Sequence, residues 1–159
     1  RGALYRHFPS KVALLEAAVS RVTASVGQGE VEFTNIPLDD PRGTAVLVGR
    51  FILANLDMQR DLTHIFERDG ERLGSVRDQF RESSDAGFRA ASDALRQWAL
   101  AANLDVDTDA FAVLLIGGLV NFRRSTWTLG GSPIGLGDDR FLEGFATIFS
   151  MIVDQHRTR

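Results

Sequence analysis

The chain has 159 residues, which is about the size of one domain and is enough to bury a hydrophobic core. Its hydrophobic share of 44% and its charged share of 25% are typical of a globular protein. Its longest apolar runs are shorter than the roughly 18 residues of a membrane span, so we expect no membrane partner. The sequence contains no cysteine, which excludes disulfides and thiol chemistry.

The charge is distributed unevenly along the chain. Residues 1–22 contain three arginines and one lysine against a single glutamate, a net charge of +3. Since the whole chain has a net charge of -3, residues 23–159 carry -6. A basic end on an acidic body is typical of a protein that contacts nucleic acid at one end only. The alternative is that four cations lie near one terminus by chance.

Helical periodicity runs through the chain, and no stretch of useful length alternates in the manner of a strand. The sequence therefore predicts an all-α fold. Ser10, Asp40 followed by Pro41, and Asp61 are expected to cap helices. The predicted helices span about 10–26, 41–56, 62–68, 71–102, 108–129 and 138–156.

The stretch 2–19 joins an aromatic, basic segment to an amphipathic helix. Leu4 and Phe8 are four residues apart and are expected to face a core together. Tyr5, which lies between them, is left to face outward or sideways with its cationic neighbours. A short helix of this kind, followed at once by the cap Ser10, is suited to binding phosphate groups.

This stretch resembles the second half of the helix-turn-helix in TetR-family transcriptional repressors. The matching residues are Leu4, Tyr5, Arg6, His7, Phe8, Lys11 and Leu14. The close match covers about the first twenty residues, and the later helices resemble the family in order and length. Because two family helices precede this point, we interpret the chain as a fragment that begins at the recognition helix.

The resemblance implies a cytoplasmic bacterial regulator, most simply a repressor, that binds a palindromic operator in double-stranded DNA as a homodimer. A small-molecule effector would release it. Residues 1–26 would be the end of the DNA-binding domain with its connecting helix, and residues 27–159 the ligand-binding and dimerisation domain. The implied contacts to base edges are Arg1, Ala3 and Arg6, and the implied contacts to phosphates are Tyr5, His7 and Lys11.

Other roles stay open for three of these residues. Tyr5 is alternatively a partly buried aromatic with a hydrated hydroxyl, and Arg6 a solvated surface cation. His7 is alternatively a hydrogen-bond donor to the backbone around Pro9 and Ser10.

The last two predicted helices carry more apolar surface than one core contact requires. By resemblance to the family, they would form the dimer interface. The residues expected there are Leu115, Ile116, Leu119, Phe141, Phe145 and Ile148. The alternative is that both helices are buried inside a monomer.

A ligand pocket is expected among the middle helices, lined by aromatic residues and by polar groups that interrupt apolar stretches. Asn121 is the most suggestive polar group, because a buried amide needs partners. The candidates are Phe51, Asn55, His64, Phe66, Phe88, Trp98, Asn121, Phe122, Arg124 and Trp127. The alternative for each aromatic residue is an ordinary place in the core.

The sequence contains no motif of an enzyme site. His7, His64 and His156 are far apart in sequence, and neither a Gly-rich phosphate loop nor a Gly-x-Ser-x-Gly motif occurs. We therefore predict a protein that is not an enzyme and that has neither a cofactor nor a metal site. The competing hypothesis is a helical ligand-binding or interaction module without DNA activity.

Overall fold

The computed structural model describes residues 7–28, 39–69 and 74–157. These residues form α-helices and one 3₁₀ turn, with no strand among them, which confirms the all-α fold. The helices are α1 (Lys11–Gln28), α2 (Pro41–Met58), α3 (Arg60–Asp69), α4 (Gly74–Ala101), α5 (Thr108–Leu129) and α6 (Asp138–Arg157). Of the helices in this described part, none is long and apolar enough to cross a membrane.

Local capping explains where several helices begin. The Ser10 hydroxyl accepts a hydrogen bond from the Ala13 amide at 3.0 Å, and the Asp40 carboxylate accepts one from the Gly43 amide at 2.8 Å. Asp107 caps α5 by accepting from the amides of two following residues, at 3.1 and 3.0 Å. Each cap satisfies an amide that has no partner within its helix.

Local sequence signals account for the end of α5 but do not predict the start of α3 correctly. Gly130 ends α5 in the left-handed conformation, with φ of 71°, as a residue without Cβ readily does. The prediction that Asp61 caps the third helix is wrong. The helix begins at Arg60, and the Thr63 amide already donates to the Gln59 carbonyl at 2.9 Å. Asp61 lies in the first turn, where its charge favours the helix dipole.

The chain divides into two compact units. The first comprises Arg1–Val31 and Met58–Gly87, and the second comprises Glu32–Asp57 and Phe88–Arg159. In the first unit, Leu15 and Val19 of α1 are buried with Leu62 of α3 and Val76 of α4. These contacts group α3 and the first part of α4 with α1, so the unit is assembled by packing and not by sequence order.

The second unit contains two buried apolar clusters. One is centred on Trp98 and Phe149, whose ring centroids are 5.1 Å apart. The other joins Leu119 and Phe122 of α5 to Leu142 of α6 and a leucine of α2. The Phe122 ring also stacks on Phe141, with centroids 3.9 Å apart and planes 3° from parallel. Helices α2, α4, α5 and α6 therefore share one core.

Helices α2 and α6 pack closely together at the buried residue Gly49. A Cβ built on Gly49 would lie 2.5 Å from Cδ2 of Leu142. Carbon atoms in contact are normally about 3.5–4.0 Å apart, so the helix spacing here depends on the absence of a side chain.

Candidate ligand-binding cavity

A cavity of about 70 Å³ lies inside the second unit, among four of its helices. The wall residues from α2 are Thr44, Ala45, Val48 and Ile52. Those from α4 are Ala91, Ala94, Leu95 and Trp98, and those from α5 are Ala112, Leu115, Ile116 and Leu119. Helix α6 contributes Phe145 and Phe149.

Helical spacing explains why these residues meet. The residues from α4 and from α5 each follow an i, i+3, i+4, i+7 pattern, so each set lies on one face of its helix. Ala91, Ala94 and Ala112 place short side chains where larger ones would fill the space between the helices. Alanines on the core-facing side of neighbouring helices are therefore the sequence signal of the cavity.

Trp98 is the residue of the wall with an unsatisfied polar group. Its side chain is buried, with 4% of its surface exposed. Its indole Nε1 has no hydrogen-bond partner among the described residues. Most buried polar groups in proteins are paired, so this indole N–H is an exception within the core.

The remaining wall is almost wholly apolar. Besides Trp98, Thr44 is the one wall residue with a polar side-chain atom. Among the described residues of the wall none is titratable, so the cavity offers neither a charge nor a proton donor or acceptor for acid–base chemistry. It is suited to binding an uncharged molecule.

A second polar feature of this unit is the buried Arg123. Its guanidinium donates to both carboxylate oxygens of Asp138, at 3.3 and 2.8 Å. Its Nε lies 3.3 Å from Oδ1 of Asp57, close enough for an ion pair although its N–H makes no hydrogen bond to a described residue. Asp57 also accepts a hydrogen bond from the Trp127 indole at 3.2 Å. Arg123 therefore joins α2, α5 and α6 within one chain.

The residues predicted to bind a ligand are dispersed, and Trp98 is the one that lines this cavity. Phe122 belongs to the second core cluster, and the Asn55 amide donates to the Phe51 carbonyl at 3.0 Å. Asn121 is exposed on α5, so its amide is satisfied by solvent and not by a buried ligand.

The other candidates also lie away from the cavity wall. Trp127 donates to Asp57, Phe88 is half-buried, and Arg124 is exposed. Phe66 belongs to the first unit, where it packs against Phe80 with ring centroids 4.6 Å apart. His64, also in the first unit, is exposed, and its Nδ1 lies 3.7 Å from a carboxylate oxygen of Glu67.

Most residues predicted for a dimer interface are covered by their own chain. Those that line the cavity are Leu115, Ile116, Leu119 and Phe145. Phe141 stacks on Phe122, whereas Ile148 is 61% exposed. Helices α5 and α6 also expose some apolar side chains. Leu114 is 72% exposed and Met151 is 57% exposed.

The residues predicted to contact DNA fall mostly outside the described part of the chain. Four of them are not among the described residues, namely Arg1, Ala3, Tyr5 and Arg6. His7 and Lys11 are described, and both are exposed on either side of the Ser10 cap.

Comparisons with protein-family models, with curated proteins and with solved structures find no match to this chain. The resemblance to TetR-family repressors therefore depends on the motif residues themselves. In the described part of the chain, no group of three or more histidine, aspartate or glutamate side chains is placed to bind a metal ion.

Proposed function

We propose that the protein is a ligand-responsive DNA-binding transcriptional regulator, in which the cavity of the second unit receives a small-molecule effector. The cavity is the observation that carries the proposal. Four helices of the second unit leave about 70 Å³ between their apolar faces. Close packing is the rule in protein interiors, so an apolar space of this size between four helices favours ligand binding.

The DNA-binding half of the proposal is supported by the motif around Tyr5. Ser10, which lies within the motif, caps α1, and the two described phosphate-contact candidates, His7 and Lys11, are exposed. Exposed hydrogen-bond donors such as these, one of them a lysine, beside the first amides of a helix are favourable for contacts to a DNA backbone.

Homodimer formation is supported by apolar surface that α5 and α6 leave open. Leu114 is 72% exposed and Ile148 is 61% exposed. A Cβ added at Gly117, Gly118 or Gly144 would meet no atom within 4 Å. Glycines on an exposed apolar helix surface allow a second helix to approach closely. We propose that a second copy of the chain covers this surface, and that the pair reads the two half-sites of a palindrome.

An effector would act through its preference for one state of the protein. If it binds the DNA-free state more tightly, DNA affinity falls by the same factor by which DNA weakens effector binding. Repression that is relieved by ligand is what the resemblance to TetR-family repressors implies, and an effector with this preference would produce it.

The test is binding of the intact protein to the DNA upstream of its own coding sequence, over a series of salt concentrations. We expect a palindromic footprint and an affinity that falls steeply with salt. Lys11→Ala should reduce the salt slope by about one, because one phosphate contact is lost. Arg81→Ala is the matched control, since Arg81 is an exposed cation of α4 with 72% of its side chain accessible.

Two results would contradict this half of the proposal. One is the absence of any specific footprint. The other is an equal loss of affinity in the Lys11 and Arg81 variants, which would indicate a general effect of charge.

The dimer is tested separately by sedimentation equilibrium of the intact protein. Ile148→Glu places a charge on the proposed contact surface and should shift the protein toward the monomer. Leu100→Glu is the control, because Leu100 is 72% exposed on α4. A wild-type protein that stays monomeric, or a dimer unaffected by Ile148→Glu, would exclude this surface as the interface.

The same cavity favours a second candidate function, a ligand-binding module without DNA activity. In that case ligands would bind to the second unit, whereas no DNA would be footprinted. An enzyme is the class that we do not propose, because the described wall supplies no titratable group.

A further inference from the structure

The cavity of the second unit presents an almost wholly apolar surface to an occupant. Thr44 and Trp98 are the described wall residues that have a polar side-chain atom. The Trp98 Nε1 atom has almost no accessible surface, so other protein atoms cover it and it does not face the cavity. The Thr44 hydroxyl is therefore the one polar side-chain group that the described wall can offer.

Water is a poor occupant of such a space. A water molecule in a protein interior typically makes two to four hydrogen bonds to polar groups. A single hydroxyl cannot supply them, and the rest of the wall is hydrocarbon and aromatic ring. Cavities with apolar walls stay dry and bind apolar guests such as xenon.

The volume limits the size of the guest. An apolar cavity of about 150 Å³ holds one benzene molecule, which has six heavy atoms. At the same volume per atom, a cavity of about 70 Å³ holds about three heavy atoms. A chain of three carbon atoms fits this space, whereas an aromatic ring does not.

We infer that the cavity binds small hydrocarbons of about three carbon atoms, which are held by apolar contact and without a hydrogen bond. This inference rests on the proposed ligand-binding role of the cavity and specifies the chemical class of the effector. Ala91 and Ala94 of α4 set the size limit, because longer side chains at these positions would occupy the space of the guest.

The test compares propane with ethanol, which has the same number of heavy atoms but carries a hydroxyl. Each is titrated into the intact protein, with xenon as a further apolar probe, and the isoleucine methyl resonances are followed by NMR. Propane and xenon should shift the resonances of Ile52 and Ile116 in the wall, and should leave Ile134, which is 98% exposed, unchanged. Ethanol should bind at least about tenfold more weakly than propane, because its hydroxyl would be buried without adequate partners.

A variant that fills the cavity gives a second readout. Ala91→Val adds two carbon atoms to a space that holds about three, so propane binding should be lost. Ala90→Val is the matched control, since Ala90 is the exposed neighbour on α4 and carries the same helix cost of a β-branched residue. Ala94→Val is a second filling variant. Both wall alanines are half-buried, which makes a valine easier to accommodate there than in the deep core.

Three results would overturn the inference. They are unshifted wall resonances with propane, ethanol that binds as tightly as propane, and benzene that binds more tightly than propane. Propane binding that Ala91→Val and Ala90→Val change equally would also overturn it. If neither filling variant folds, the comparison of guests in the wild-type protein decides the matter.

The outcomes separate this inference from the proposed regulator. Propane that binds in the cavity but leaves operator affinity unchanged would support the inference and contradict the cavity as the effector site. A protein that footprints its operator but binds neither propane nor xenon would overturn the inference and leave the DNA-binding proposal standing.

Discussion

Replacement of Gly49 by alanine tests the close approach of α2 and α6. The new Cβ would lie 2.5 Å from Cδ2 of Leu142, 3.6 Å from Cδ2 of Leu119 and 3.8 Å from Cδ1 of Phe145. The contact with Leu142 is about 1 Å shorter than a favourable carbon–carbon distance. Leu142 is 1% exposed and is packed in the second core cluster, so its side chain would have to shift within the core to make room.

Two opposing terms determine the stability of Gly49→Ala. Alanine in a helix interior is favoured over glycine by about 1 kcal/mol. Overpacking of a filled core costs about 1–3 kcal/mol. The variant should therefore range from nearly neutral to about 2 kcal/mol less stable than the wild type.

Gly87→Ala isolates the packing term. Gly87 lies inside α4, and a Cβ there would meet nothing within 4 Å. This substitution gains the helix preference without the clash, so it should stabilise the protein by about 1 kcal/mol. The difference between the two variants then gives the packing cost at Gly49, about 1–3 kcal/mol.

Thermal and urea unfolding, followed by circular dichroism, measure this difference. A change of 1 kcal/mol shifts the melting temperature of a chain of this size by about 2–4 °C. We expect Gly49→Ala to melt at least about 2 °C below Gly87→Ala. Equal stabilisation by both alanines would show that α2 and α6 do not approach at Gly49.

Two further substitutions test polar contacts of the second unit. Arg123→Met should lower the free energy of unfolding by about 1–3 kcal/mol, because Asp138 and Asp57 lose a buried cation but are themselves half exposed. Arg140→Met, at an exposed position of α6, should change it by less than about 0.5 kcal/mol. Equal effects of the two substitutions in urea unfolding would rule out the Arg123 contacts as a source of stability. Asp107→Ala removes the cap of α5 and should lower the free energy of unfolding by about 0.5–2 kcal/mol. Unchanged amide hydrogen exchange at Asp109 and Ala110 would show that the cap contributes little.

The helices were largely predictable because their signals are local. α5 spans Thr108–Leu129 as predicted, since Asp107 caps its first amides and Gly130 ends it in a left-handed conformation. α1 continues to Gln28, past the predicted end near Val26, because Gly27 is tolerated within a helix.

The cavity was less predictable because it is defined by what several helices leave empty. Sequence reasoning favoured conspicuous residues, of which Trp98 lines the space. It passed over Ala91 and Ala94, whose small side chains create the space. A small residue indicates a cavity only when the opposing residues are also known, and that knowledge requires the packing of helices distant in sequence.

Two leucines of α5 also show that burial could not be predicted from the sequence alone. Leu119 is fully buried, whereas Leu114 is 72% exposed. The sequence by itself determined that both lie on a strongly apolar helix with a capped start and a glycine end, because periodicity, caps and turns act over a few residues. The tertiary structure decided which leucine the other helices cover and where they leave a cavity, because burial depends on contacts between segments far apart in the chain.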